Sequence, residues 1–153
     1  MNNNIKLPTK YFYIIMVLSI LIIFSNSIEA FIRAKDVYMF ELWLDNPALA
    51  VDKTMGENFL FQIYVTSIIA TYITNVITIV GLSINTYIAH IKTGYSKLFV
   101  YIWIVILGGL FLFTSVLNTS FNIFYFINLG LTIGLIFILL RLLHEIKDYH
   151  LNV

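Results

Sequence analysis

The chain has 153 residues, 60% of them hydrophobic and 11% charged, with a formal charge of +1 and a mean hydropathy of +0.91. Soluble domains carry about 25% charged residues, so water is not the main solvent of this protein. Nine Lys and Arg scattered along the chain provide no concentrated basic patch and argue against a nucleic-acid partner, and the lack of cysteine excludes disulfide staples, thiolate catalysis, iron–sulfur clusters and cysteine-ligated zinc.

A hydrocarbon core of about 30 Å takes roughly 20 apolar residues per helix. Three uncharged runs lie between Lys10 and Glu29, Glu57 and Lys92, and Lys97 and Arg141, with 18, 34 and 43 residues. The third has room for two helices, and Asn118, Thr119, Ser120 and Asn122 near its middle supply turn and capping side chains. The sequence therefore predicts an all-α, polytopic membrane protein: one membrane domain over 1–153, folded as a four-helix transmembrane bundle. The spans fall at about residues 11–31, 58–83, 98–117 and 121–141, with an outer loop at 32–57 and a tail at 142–153. The second run continues uncharged toward His90, long enough to tilt or to project beyond the bilayer.

The first span has 18 uncharged residues, more than the roughly 7 to 15 of a signal peptide, and reads as an uncleaved anchor. Lys6, Lys10, Lys92, Lys97, Arg141 and Lys147 flank the spans on one side, against Arg33, Lys35 and Lys53 on the other. This predicts an N-in, C-in orientation.

In the outer loop, Phe31, Ile32, Met39, Phe40, Trp43 and Leu44 interleave with Arg33, Lys35, Asp36 and Glu41, the pattern of a segment lying in the headgroup plane. Asp45-Asn46-Pro47 then resembles a helix start and Gly56 a stop, predicting a short interfacial or extracellular helix from about Pro47 to Met55. The loop is read either as a membrane-hugging connector or as a recognition surface.

Helices in lipid associate through small residues and interhelical hydrogen bonds. In the second span Ser67, Thr71, Thr74, Thr78, Gly81 and Asn85 recur at steps of 4, 3, 4, 3 and 4, with Asn75 beside them. That spacing predicts a seam buried against protein, through which helices or a partner dock. The first span carries a weaker seam through Ile15, Ser19, Ile22, Asn26, Glu29 and Arg33, and Glu29 and Arg33, four apart, are placed to form an interfacial ion pair. Gly130 and Gly134 in the fourth span have the GxxxG spacing that admits a neighbouring backbone, and Gly108-Gly109 in the third is one candidate to meet them.

Chemistry is sparse. No ionisable residue sits in the middle of a span, which argues against an autonomous pump or proton-coupled carrier. His90, His144 and His150 fall at the inner ends, and His144-Glu145 lacks the second histidine at the spacing of a zinc-protease helix; His144 and Asp148 lie one turn apart but make no ligand set, so no metal or cofactor is expected. Counts of 26 isoleucines and 12 asparagines suggest an AT-rich genome and a bacterial cell membrane. Together these features predict a non-enzymatic small multi-pass protein acting through helix contacts, as an accessory, regulatory or immunity-type component of a membrane assembly. Its partners are then the lipid bilayer and another membrane protein or further copies of itself. The alternative is a subunit of an oligomeric channel or transporter whose path is lined by the Ser/Thr/Asn stripe of the second span.

Overall fold

The computed structural model describes residues 6–49, 52–117 and 122–151. They form five α-helices: α1 (Thr9–Lys35), α2 (Val37–Leu44), α3 (Glu57–Ile88), α4 (Lys97–Leu117) and α5 (Ile123–Leu151). All but α2 are long and apolar enough to cross a membrane. Large apolar side chains cover the outside, Val105 being 71% and Leu98 68% exposed, a surface suited to lipid and costly in water.

Local chemistry sets the boundaries. Pro8 precedes α1, where a missing N–H is harmless, and Arg33 and Lys35 occupy its last turn, complementing the helix dipole. Asp36 interrupts the helix in an extended conformation and accepts hydrogen bonds from the backbone N–H groups of Tyr38 and Met39, so that it caps α2. The expected helix from Pro47 to Met55 is absent from the described residues: Pro47–Leu49 is a single 3-10 turn. Asp52 takes both the backbone N–H (3.0 Å) and the hydroxyl (2.7 Å) of Thr54, a local turn that competes with helix, and Lys53 reaches back to Asp45 at 2.7 Å.

The long helices exceed their predicted spans. α3 has 32 residues, about 48 Å at 1.5 Å per residue, whereas α4 has 21. α3 ends in a π-helical turn, Ala89–Thr93, beside which His90 Nδ1 lies 2.9 Å from the carbonyl oxygen of Leu7 while its ring stacks on Phe12 at 4.4 Å. Gly94 then takes φ 69°, a left-handed conformation that side chains resist, and turns the chain into α4. The segment predicted as a tail from residue 142 continues α5 to Leu151, with Leu142 and Ile146 buried. The predicted turn at Asn118, Thr119 and Ser120 lies outside the described residues.

The four long helices form a ring: α1 packs on α3 and α5, α4 packs on α5, and α3 touches α4. Along α1 and α3, Arg33 meets Tyr64, Ser27 meets Tyr72 and Leu7 meets His90, numbers that run in opposite senses and make the pair antiparallel. Tyr11 with Glu145 and Glu29 with Asn128 give α1 and α5 the same relation. The start of α1, the end of α3 and the late turns of α5 thus meet at one end of the bundle.

Most of the core lies toward that end. Tyr11, Ile15 and Ile22 of α1, Ile79 and Leu82 of α3, Val100, Trp103 and Leu107 of α4, and Leu135, Leu139 and Leu142 of α5 form one apolar cluster. A smaller cluster at the opposite end joins Phe40 and Trp43 of α2 to Leu60, Tyr64 and Ile68 of α3. α1 buries Tyr11, Ile15, Ser19, Ile22, Ser25 and Glu29, a stripe at steps of three and four.

On α3 the seam is displaced from the spacing of its small polar residues. Ile68, Ile79, Leu82 and Thr86 are buried, with Tyr72 and Asn75 half-buried among them. This is the ladder of Ser67, Thr71, Thr74, Thr78, Gly81 and Asn85 moved by one residue, a rotation of about 100°. The hydroxyls explain the offset. Ser67 donates to the carbonyl of Tyr64, Thr71 to Ser67, Thr74 to Ala70 and Thr78 to Thr74, at 2.7–2.9 Å; satisfied within their own helix, they give a neighbour little to hold, and the larger side chains beside them gain more from close packing.

Two predictions follow from this packing. A Cβ added at Gly81 would already touch the Trp103 ring at 3.4 Å, so Gly81→Ala should be nearly neutral, whereas Gly81→Leu should cost about 1–3 kcal/mol by overpacking, read as a lower Tm in mild detergent. In the connection between α3 and α4, burial, with the nearby carboxylate of Glu145, pushes the Tyr95 hydroxyl up to about 12. An acid ionising more readily in the unfolded chain leaves stability unchanged below pH ~10 and removes it between about pH 10 and 12. The alkaline fall in Tm should therefore be shallower in Tyr95→Phe.

Candidate functional site

Next to the main apolar core, whose Ile22 and Ile79 form part of the lining, the ring of helices surrounds a partly open chamber of about 140 Å³ with a polar wall set among apolar residues. Ile22, Asn26, Glu29 and Arg33 of α1 line it at steps of 4, 3 and 4, one face of the helix. Opposite stand Thr71, Tyr72, Asn75 and Ile79 of α3, while α4 supplies Leu110, Phe111 and Thr114, and α5 supplies Tyr125, Asn128, Leu129 and Thr132. Trp43 of α2 and Leu49 lie at its edge.

The centre of the polar wall is Glu29, only 9% exposed. Asn128 Nδ2 donates to Glu29 Oε2 at 2.8 Å, tying α5 to α1 across 99 residues of sequence. Arg33 Nη1 stands 3.7 Å from Glu29 Oε1, beyond the roughly 2.7–2.9 Å of a tight charge-assisted bond. The ion pair expected from the spacing is present, but it faces the bundle interior. Tyr64 anchors the same turn by donating to the backbone carbonyl of Arg33 at 2.8 Å. Three buried atoms of the wall, Arg33 Nε, Asn75 Oδ1 and Asn128 Oδ1, have no partner among the described residues, so the wall is not closed upon itself.

The remaining candidates separate into three places. Ser67, Thr71 and Asn75 line the chamber. Gly81 faces Trp103 of α4. Thr74 and Asn85 are exposed on the outside of α3, with Thr78 between the two environments. Gly130 is exposed and Gly134 half-exposed on α5, and a Cβ on either would meet nothing within 4 Å. Gly108 and Gly109 are equally open, so these glycines do not bring α4 and α5 together. Among the described residues no three His, Asp or Glu side chains are grouped to hold a metal ion.

Asn26 falls on the first-span seam that spacing indicated, whereas Asn128 and Tyr125 were not among the residues singled out by spacing. The available signal was their chemistry: an amide inside an apolar span is expensive unless it faces a polar partner, and Asn26 and Asn128 are such amides. Comparison with protein-family models, with curated proteins and with solved structures found no match.

The geometry makes Asn128 the principal neutral support of a buried carboxylate. Asn128→Ala should cost about 1.5–3 kcal/mol, the range for a lost hydrogen bond to a charged group, while Glu29→Gln, which preserves an acceptor, should cost less. Thermal unfolding of the two purified variants compares them directly.

Proposed function

We propose that this chain is a non-enzymatic, multi-pass component of a bacterial plasma membrane that works by docking another membrane protein, in an accessory or regulatory role. One observation carries the reading: the Gly130/Gly134 face of α5 is open. A GxxxG face serves close approach of a second backbone, and here no helix among the described residues takes that place. Asn85 on the outside of α3 adds an amide that a neighbouring helix could use.

The orientation follows in the same reading as N-in, C-in. Lys6, Lys10, Lys92 and Lys97 belong to the end where Leu7 meets His90, and basic residues favour the cytoplasmic side. The chamber then lies in the outer half of the membrane, with α2 at the outer surface. The competing reading, a channel subunit, draws on the exposed Thr74 and Asn85, which would face a path between copies.

Extraction from the native membrane in mild detergent, followed by measurement of particle mass and composition, distinguishes them. Docking predicts a second protein in fixed ratio, lost in Gly130→Leu/Gly134→Leu but retained in Gly81→Ala. A particle containing only copies of the chain, with liposome flux abolished by Asn85→Leu, would replace it with the channel reading. Accessibility of single cysteines introduced at Lys6 and Lys53 reads the orientation, labelling from outside being expected only at the second.

A further inference from the structure

The chamber has a chemistry that docking does not use. Its wall contains one carboxylate, Glu29, and one guanidinium, Arg33, so its charge is balanced. A single anion or cation entering would leave net charge in a medium of low dielectric, which is costly. A molecule bearing both signs would not. The two side chains are held 3.7 Å apart through one pair of atoms, and each retains hydrogen-bonding capacity: a carboxylate accepts at several lone-pair sites and a guanidinium has five N–H donors.

Size narrows the class. A cavity of about 150 Å³ accommodates a molecule as large as benzene, and this chamber measures about 140 Å³, room for roughly six heavy atoms. Asn75 and Asn128 contribute amides whose oxygens lack partners among the described residues, and Ile22, Ile79 and Leu110 are interleaved with them in the lining. Small ligand sites share this composition, an apolar wall with a few convergent polar groups.

We infer that the chamber binds one small zwitterion of the size of a short amino acid, its ammonium group held by Glu29 and its carboxylate by Arg33, with the Asn75 and Asn128 amides completing the hydrogen bonds. The apolar part of the lining admits a short side chain. Binding requires no chemistry from the protein and no bound metal.

Calorimetric titration of the full chain in lipid nanodiscs tests this, with glycine, alanine and serine as probes and acetate, methylammonium and urea as controls. The expected result is saturable one-to-one binding of at least one zwitterion, with each control weaker by about tenfold or more. Glu29→Gln and Asn75→Leu should each weaken that zwitterion by about tenfold or more, and Asn85→Leu, on the outside of α3, should leave it unchanged. Gel filtration of each variant ensures that only folded protein is compared. No heat from any zwitterion, equal affinity for acetate or urea, or unchanged affinity in folded Glu29→Gln would overturn the inference. Particle mass, which tests docking, is unaffected by any of these outcomes.

Discussion

A carbonyl or N–H group in hydrocarbon has no water to turn to, and that constraint governs the whole molecule. Each spanning segment must satisfy its backbone internally, which gives four long helices joined by short connections and one loop of about twenty residues. The same rule reaches the side chains. The hydroxyls of Ser67, Thr71, Thr74 and Thr78 return to carbonyls of their own helix, and the buried carboxylate of Glu29 takes an amide from α5. Apolar attraction between helices adds little when lipid is as apolar as leucine, so close packing in one half and the polar contacts in the other share the work of holding the ring together.

That division gives the two ends different characters. Where α1 begins, the core is filled by Ile15, Leu82, Leu107, Leu135 and Leu139, all with no exposed surface or nearly so. Around Glu29 the walls are polar and space remains. Dense apolar packing in one half fixes the helices on which the polar groups of the other half stand.

The number and approximate place of the spans were legible in the spacing of charged residues, since a charge inside the bilayer is the least tolerated feature a sequence can carry. The stripe of α1 was legible too, because Ile15, Ser19, Ile22 and Glu29 combine spacing with burial. The face of α3 was displaced by one residue: spacing alone cannot tell whether a hydroxyl will serve a neighbouring helix or its own backbone. The contact between Glu29 and Asn128 joins distant segments without periodicity, so nothing local announces it. Pro47 signalled a helix that the Asp52–Thr54 turn does not permit.

The unequal helices have a consequence for the surrounding lipid. Beside α3, with 32 residues, the chain asks for a thick bilayer or a strongly inclined helix; beside α4, with 21, it asks for an ordinary one. Unless α3 inclines to take up the difference, acyl chains around a single small bundle stretch on one flank and relax on the other, at a modest cost for each ångström of mismatch. The annulus is then lopsided, and a second protein settling against the stretched flank would release that strain before making any specific contact.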